Sequence, residues 1–388
     1  MMSPQVAHGA YYAAHVAKSL MWAAGDLITI YALVSLYGLD PALAGWLFLV
    51  GLVASAGADL MVGAWLDRRP GGTPRLAADG LLLAALAFPL TIAAAPFGWA
   101  ALLAATLAFR LGYAAYDVPH NALLSRLAAD LPAATRLSRG RTLGTGAAAM
   151  IVGAGLHWLN DRATIPWLLG DLALAALLGG AALLPLLTRL SGTPRGMEVA
   201  ASPSLPWRFL TGSVAGMIAL AAIGKGAMHL PPTRESPDAG TILILLTAGR
   251  TVIVLLPFGM PDARRGLRLL AGLYAAAALV GPLLVAVGGA TLPFLLGVML
   301  GATNLVGWAL LPRLASGVGG YARYTMVSKL ALGGAGLWMT AVLGGQSSFT
   351  PAALAILVGG AAAGCLVAAW LLMPSRLTNA PAHGANVE

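Results

Sequence analysis

Residues 63–75 read GAWLDRRPGGTPR, a charged turn between the apolar stretches 41–66 and 76–94. Each stretch has about the ~20 apolar residues that a helix needs to cross the hydrocarbon core of a bilayer. Over its 388 residues the chain is 59% hydrophobic and 10% charged, with a mean hydropathy of +0.82. Lipid must be the solvent of such a chain, so the two stretches are predicted to be consecutive membrane-spanning helices.

The alternation of apolar stretch and short connection continues along the chain and predicts twelve spans. These are 13–37, 41–66, 76–94, 98–123, 141–160, 165–188, 208–230, 240–258, 269–288, 291–313, 324–346 and 350–373. Twelve spans occupy the whole length, which leaves no room for a separate soluble domain. The predicted fold class is all-α: a polytopic membrane protein with two pseudo-symmetric six-helix bundles. We expect the bundles at 1–188 and 208–388, joined by a cytoplasmic linker at 189–207.

Basic residues are concentrated in every second connection between the predicted spans. They are Arg68, Arg69, Arg75, Arg126, Arg136, Arg139, Arg189, Arg195, Arg264, Arg265, Arg268 and Arg323. The alternate connections carry only Arg162 and Arg234. The positive-inside rule therefore places both termini in the cytoplasm, and we expect an integral protein of a bacterial inner membrane. The net charge of +9 is then a topology signal rather than the mark of a nucleic-acid partner.

The turn at 63–75 has a weaker echo half a chain later, where residues 259–268 read GMPDARRGLR. The turn resembles the cytoplasmic signature of the major facilitator superfamily, and the echo fits an internal duplication. By that resemblance the aspartate caps a neighbouring helix while the arginines hold the halves together. The alternative is an ordinary basic loop with turn glycines. The predicted gating residues are Gly63, Asp67, Arg68, Arg69, Arg75, Asp262, Arg264 and Arg265.

Several ionisable residues lie inside predicted spans, where insertion costs about 2.5–3.5 kcal/mol each. They are Lys18, Asp26, Asp59, Arg110, Asp117, Lys225, Arg250 and Lys329. Counted from the predicted cytoplasmic ends, Lys18, Asp59, Asp117 and Lys329 share one level. Three- and four-residue steps put Lys18, Trp22 and Asp26 on one helix face, and Arg110, Tyr113, Asp117 and Asn121 on another. We expect these faces to line a chamber between the halves. Permanent structural pairing of Lys18, Asp59, Asp117 and Arg141 is the alternative.

Residues 113–119, YAAYDVP, resemble the Tyr-x-x-x-Asp-Ile-Pro motif of the glycoside-pentoside-hexuronide:cation symporters, which include the melibiose carrier. Lys18, the segment 45–59 and the segment 324–329, YTMVSK, also match in order. The resemblance implies that Asp59 and Asp117 hold the coupling cation. It also implies that Asp117, Tyr113 and a fifth-helix arginine bind the solute; that arginine is Arg141, with Arg139 as the alternative. Together with the face analysis, the predicted solute-binding set is Lys18, Trp22, Asp26, Arg110, Tyr113, Asp117, Asn121, Arg141, Thr325 and Lys329.

The sequence departs from this family at the residues that would select the ion and the sugar. Ser55 stands where the family has a second cation-binding carboxylate, and Ala58 and Ala114 replace other oxygen donors. A hard metal cation needs about six oxygen ligands, whereas a proton needs one carboxylate in apolar surroundings. We therefore expect coupling residues Asp59, Asp117 and Ser55 to serve a proton rather than sodium. Ser19 and Asn121 replace sugar-contacting residues of the family, which argues against a galactoside.

The predicted function is secondary active transport of a small polar solute, with an anionic and a sugar-like solute both open. The expected partners are that solute, a coupling proton and the lipid bilayer, and the chain is expected to be a monomer. Two alternatives are an exporter of amphipathic compounds or lipids, and a non-transporting scaffold that keeps a carrier fold. The sequence has no His-Glu-x-x-His, Gly-x-Ser-x-Gly or phosphate-binding glycine motif, so we expect no enzyme, cofactor or metal site.

Overall fold

The computed structural model of the chain is helical nearly throughout the part that it describes. The described residues are 4–29, 32–159, 161–190, 205–227, 239–255, 260, 262–287, 291–315, 317–344 and 349–373. Most of the predicted linker, residues 191–204, lies outside them, as do Arg195 and Arg234 of the orientation prediction. The proposed division into two bundles at this linker therefore stays a prediction.

Twelve helices of 14 residues or more follow one another in the described residues. They are α1 (Pro4–Leu27), α2 (Pro41–Arg68), α3 (Thr73–Ala93), α4 (Trp99–Leu127), α5 (Leu131–Trp158), α6 (Ile165–Leu190, with a short break after Ala181), α7 (Trp207–Gly226), α8 (Ala239–Val252), α9 (Ala263–Val287), α10 (Thr291–Leu314), α11 (Gly317–Leu343) and α12 (Pro351–Leu372). Each matches one predicted span. The all-α, polytopic architecture is therefore as the sequence predicts.

Local sequence fixes where several helices begin. The side chain of Asp40 accepts a hydrogen bond from Leu43 N at the start of α2, and Asp130 accepts one from Ala133 N at the start of α5. Thr350 does the same for α12, and a proline occupies the first turn of all three helices. A side-chain oxygen satisfies a free backbone N–H there, while proline loses nothing because its missing N–H would have no helical partner.

Helix α5 starts at Leu131 rather than at residue 141, where the apolar stretch begins. The first turns of α5 contain three arginines, so hydropathy assigns them to a loop although their backbone is helical. Helices α9 and α11 likewise start at Ala263 and Gly317, before the predicted residues 269 and 324. Because α5 begins at Leu131, Arg141 lies farther from the start of its helix than the predicted span implies.

In the described part of the chain, eight helices are long and apolar enough to cross a membrane by length and composition alone: α2, α3, α6, α7 and α9–α12. Helix α8 is short, with 14 residues. Helices α1, α4 and α5 fall outside the group because they carry Lys18, Arg110 and Arg141 among other polar residues. Three of these four helices thus carry residues of the candidate site, while Asp59 and Lys329 lie on α2 and α11, which belong to the apolar group.

In the described residues, most of the contacts between helices join helices of the same half of the chain. Helix α4 packs against α2 and α3, and α1 packs against α5 and α6. In the second half, α12 packs against α7 and α9, and α10 packs against α8 and α9. Between the halves the main contacts are α2 with α11 and α5 with α10, so four helices surround the region where the two groups meet.

Glycines bring α8 and α10 into direct backbone contact. A Cβ atom added at Gly249 would lie 2.1 Å from the carbonyl oxygen of Phe294, and one at Gly297 would lie 2.2 Å from that of Leu246. Backbone atoms cannot move away as a flexible side chain can. Small residues at such crossings are what allow membrane helices to approach closely.

Replacing Gly297 by alanine is expected to separate α8 from α10 and to destabilise the protein by about 1–3 kcal/mol, the usual cost of overpacking. The measurement is thermal unfolding of the purified protein in detergent. Gly272→Ala on α9 is the matched control, since a Cβ there has no neighbour within 4 Å. We expect that control to be neutral or slightly stabilising, because alanine favours a helix over glycine by up to about 1 kcal/mol. Equal melting temperatures for the two variants would contradict the expectation.

Candidate functional site

Lys18 of α1 forms side-chain contacts with α4, among the helices of the first half of the chain. Its Nζ atom forms an ion pair with Asp117 and donates a hydrogen bond to Asn121 Oδ1 at 2.7 Å. Asp117 and Asn121 lie one helical turn apart, so both oxygens face the same direction. All three side chains are buried. The predicted faces of α1 and α4 therefore meet, and Lys18 connects them.

A second buried ion pair connects the two halves of the chain. Lys329 Nζ of α11 lies 2.7 Å from Asp59 Oδ1 and 2.9 Å from Ser55 Oγ, both on α2. Asp59 is fully buried, and its second carboxylate oxygen has no hydrogen-bond partner among the described residues. The nearby Thr325 hydroxyl donates instead to carbonyl oxygens of its own helix. One carboxylate oxygen of Asp59 is thus bonded to Lys329, and the other has no hydrogen-bond partner among the described residues.

Arg141 of α5 lies beside the first pair but contacts no carboxylate among the described residues. It donates to Tyr11 Oη at 2.7 Å and to Asn121 Oδ1 at 3.0 Å, and its guanidinium lies 4.0 Å from the ring centroid of Trp308 on α10. The structure thus brings Arg141 to Asn121, whereas Arg139 is only half-buried. Sequence reasoning missed Tyr11. The available signal was its position one turn before His15, on the face that also carries Lys18.

Aromatic rings connect the two ion pairs. Lys329 Nζ lies 5.9 Å from the ring centroid of Trp22 and 5.7 Å from that of Tyr113, and these two rings are 5.4 Å apart. Tyr113 is 4% exposed. Cation–π attraction can hold the ammonium group over these rings. The predicted residues Lys18, Trp22, Tyr113, Asp117 and Lys329 therefore belong to one cluster.

Two buried histidines fill the space behind Arg141. His15 Nε2 lies 3.0 Å from the Arg141 carbonyl oxygen, and His120 Nε2 lies 3.2 Å from the Tyr11 carbonyl oxygen. The His120 ring stacks on Tyr11 at 4.5 Å and on His15 at 5.4 Å. Their hydrogen bonds hold the backbone from which Tyr11 and Arg141 extend. The histidines support the cluster by packing.

Asp26, predicted to bind solute, pairs with Lys225 of α7 across the two halves. Their charged atoms are 3.2 Å apart and both side chains are about one quarter exposed, at 26% and 22%. This pair is more accessible to solvent than the Lys18 and Lys329 pairs, whose side chains are at most 8% exposed. Lys225 therefore does not add an unbalanced positive charge at this position.

Asp67 lies in the turn at 63–75 and joins the two halves of the chain at that end of the molecule. Its two carboxylate oxygens accept hydrogen bonds from Val318 N and Gly319 N, each at 2.9 Å, at the first turn of α11. Gly63 allows this approach, because a Cβ there would lie 2.4 Å from the Cβ of Ala322. Asp67 thus caps a helix from the opposite half, the arrangement that the resemblance implies.

The related motif at residues 259–268, after α8, makes different contacts. Asp262 accepts a hydrogen bond from Arg265 N at 2.7 Å and pairs with its guanidinium at 3.6 Å, so it caps its own helix. Arg75 pairs within the first half, with Asp79 at 3.8 Å. The other predicted gating arginines, Arg68, Arg69 and Arg264, are exposed. The repeat is visible in sequence, but the contact between the halves is made by the first copy.

Comparison of the sequence with family models and with curated proteins finds no match. Comparison of the structure with solved structures finds similar proteins. A bacterial homologue of the iron transporter ferroportin, in an outward-facing state, has a TM-score of 0.67 and 15% identity, covering 95% of this chain and 98% of its own. The Escherichia coli fucose:proton symporter has a TM-score of 0.60 and 16% identity, covering 95% and 97%. The human organic anion transporter MFSD10 has a TM-score of 0.61 and 15% identity, covering 96% and 98%.

These similarities extend over nearly the whole length of both chains. At such low identity they establish the fold and leave the substrate open. The protein is an integral membrane protein with the major facilitator fold. Its likeness to the glycoside-pentoside-hexuronide symporters stays a resemblance carried by the patches around Asp59, Asp117 and Lys329.

Proposed function

We propose that the protein is a secondary active transporter for a small polar anion. The observation that carries this proposal is Arg141, a buried guanidinium that meets no carboxylate in the described part of the chain and lies between α5 and Trp308 of α10. Lys18 and Lys329, by contrast, each have an aspartate. A buried charge without a counter-charge is costly, and a bound anion would provide the missing one.

The shape of the cluster favours an anion that also carries hydroxyl groups, such as a sugar acid. Asn121 and Tyr11 offer neutral polar atoms beside Arg141, and Trp308 offers a flat apolar face. Planar guanidinium groups bind carboxylates through two parallel hydrogen bonds, and Arg141 still has an unpartnered Nε–H among the described contacts. Lys18 and Asp117 lie on the opposite side of Asn121 and would contact the same solute.

We infer that the coupling ion is a proton taken up by Asp59. The partner of this carboxylate is the Lys329 ammonium group, which would repel a sodium ion, and Ser55 accepts a hydrogen bond from the same ammonium group. A proton on the free oxygen of Asp59 would instead neutralise the carboxylate and weaken its bond to Lys329. Because that bond joins α2 to α11, protonation would loosen the halves and leave Lys329 free to attract the anion.

Alternating access would use two separate contacts between the halves. Asp67 and the first turn of α11 close the end predicted to be cytoplasmic, and Asp26 with Lys225 joins α1 to α7. Both contacts are present together with the buried cluster. Opening at either end requires one of these contacts to break.

Transport can be tested with the purified protein reconstituted in lipid vesicles. With a panel of labelled sugar acids and an imposed pH gradient, we expect accumulation of at least one solute. Asp117→Asn should reduce it by at least about tenfold, since the hydroxyl groups of the solute then lose the carboxylate proposed to accept their hydrogen bonds. Asp171→Asn, the same change at an exposed residue of α6, is the control and should leave accumulation unchanged. Undiminished accumulation in Asp117→Asn would contradict the proposal, and gradient-driven extrusion of amphipathic compounds would favour an exporter.

A further inference from the structure

Asn304 is a polar residue near the midpoint of α10, one of the strongly apolar helices. Its amide group forms no hydrogen bond among the described residues. Unlike Arg110, whose guanidinium is buried against the rings of Trp22, Phe48 and Phe109, Asn304 is only half-buried. A polar group at the depth of the hydrocarbon core is costly unless it has a polar partner or faces a water-filled space.

The side chain of Asn304 faces the interior of the protein and not the lipid. Leu295, which is 41% exposed, precedes it by nine residues, and about two and a half helical turns put the two side chains on opposite sides of α10. The residues one turn before Asn304 contact other helices of the second half. A Cβ at Gly301 would lie 2.4 Å from a carbonyl oxygen of α8, and one at Gly224 of α7 would lie 3.5 Å from Leu300 Cδ1. Asn304 therefore points between α7 and α8, towards the region where the halves meet.

The next turn of the same helix face carries Trp308. Its ring centroid lies 4.0 Å from the guanidinium of Arg141, and the ring packs edge-on against Tyr324 of α11 at 5.2 Å. Side chains four residues apart on a helix are neighbours, with about 5–6 Å between their Cβ atoms. A solute of the size of a sugar that is held by Arg141 would therefore extend along Trp308 to Asn304.

We infer that Asn304 binds hydroxyl groups of the solute and selects hydroxylated anions over apolar anions of the same charge. This inference rests on the anion site proposed at Arg141. An amide both donates and accepts hydrogen bonds, as a hydroxyl group does. The carbonyl oxygen of Asn121 already accepts from Lys18 and Arg141, whereas the amide of Asn304 is uncommitted among the described residues. A solute without hydroxyl groups would leave this amide unpaired, which is how such a site discriminates.

Cysteine labelling tests the position of Asn304 without any solute. In a Cys365→Ala background, Asn304→Cys should react with a negatively charged methanethiosulfonate at least about tenfold faster than Leu295→Cys, because a thiol ionises and reacts in water but not in lipid. The labelling rates are measured on the full-length protein in lipid vesicles. Equal rates would overturn the inference, since residue 304 would then lie on a face like that of residue 295.

Binding of two matched anions tests recognition of hydroxyl groups. D-glucuronate and cyclohexanecarboxylate both carry a carboxylate on a ring of the same size, but the second has no hydroxyl groups. In Asn304→Leu, the apparent dissociation constant for glucuronate should increase by at least about tenfold, and that for cyclohexanecarboxylate should change by less than about twofold. Thermal unfolding of the purified protein at increasing anion concentrations gives both constants.

Thr303→Val is the matched control on another face of the same helix. It removes a hydroxyl group that donates to the carbonyl oxygen of Met299 in its own helix, and it should leave both constants unchanged. Unchanged glucuronate binding in Asn304→Leu would overturn the inference, as would an equal loss for both anions or no glucuronate binding by the wild type. Arg141→Met separates this inference from the proposed function. It should weaken the binding of both anions, and if it weakens neither, the anion site at Arg141 is wrong.

Discussion

Asp59→Asn is expected to destabilise the protein by about 3–5 kcal/mol, the usual result of removing one partner from a buried ion pair. Lys329 would keep its charge in a position where its side chain is only 4% exposed, with only neutral acceptors beside it, Ser55 Oγ and the amide oxygen of the new side chain. Unfolding of the purified protein by heat or denaturant measures this effect. Asp79→Asn is the matched control, because Asp79 belongs to an exposed pair with Arg75 that should contribute less than about 1 kcal/mol.

The double variant Asp59→Asn with Lys329→Met separates stability from coupling. Removing both charges eliminates the unpaired ammonium group, so most of the lost stability should return. Accumulation driven by a pH gradient should remain absent, because the proposed proton acceptor is gone. If Asp59→Asn is as stable as the wild type, the pair is not the contact described above. If the double variant accumulates solute in response to the gradient, Asp59 is not the coupling residue.

Asp67→Ala is expected to open the end of the protein at which α2 meets α11. The substitution removes two charge-assisted hydrogen bonds to backbone N–H groups of the opposite half, each 2.9 Å long. Because Asp67 is exposed, we discount their joint contribution to about 1–2 kcal/mol, which still shifts the conformational equilibrium roughly tenfold. A cysteine at the buried position Thr325, in a Cys365→Ala background, reports this opening through its rate of reaction with a membrane-impermeant maleimide.

Asp40→Ala is the matched control for that experiment. Asp40 also caps a helix, but the N–H group that it accepts from is that of Leu43 at the start of its own helix α2. Its loss should lower stability without raising the labelling rate at residue 325. Equal labelling in Asp67→Ala and the wild type would show that the cap does not hold the halves together.

The faces of α1 and α4 could be predicted from sequence because helical spacing alone decides which residues share a face. Lys18 meets Asp117 and Asn121 where these two faces come together, a contact with Asp117 that the alternative of structural pairing includes. The partner of Asp59 could not be predicted from helical spacing. Lys329 lies 270 residues away, and only the packing of α2 on α11 brings Lys329, rather than Lys18 or Arg141, to Asp59. The sequence left those pairings open for this reason.

Other features depend on geometry that local patterns do not record. Asp26 lies on the same face as Lys18, yet it pairs with Lys225 because α7 passes close to that part of α1. The start of α5 was placed too late because arginines near a helix end resemble a loop in a hydropathy profile. Similarly, Asp67 and Asp262 belong to related motifs. Asp67 accepts hydrogen bonds from the first turn of α11, whereas Asp262 accepts one from the first turn of its own helix, α9.

The absence of α1, α4 and α5 from the eight strongly apolar helices has a consequence for biogenesis. Partition of single segments from the insertion machinery into lipid favours apolar helices, and a lone charge opposes it. Lys18 and Asp117 can enter together at lower cost, because each neutralises the other. We therefore expect α1 to insert stably only after α4, about a hundred residues downstream, has been synthesised.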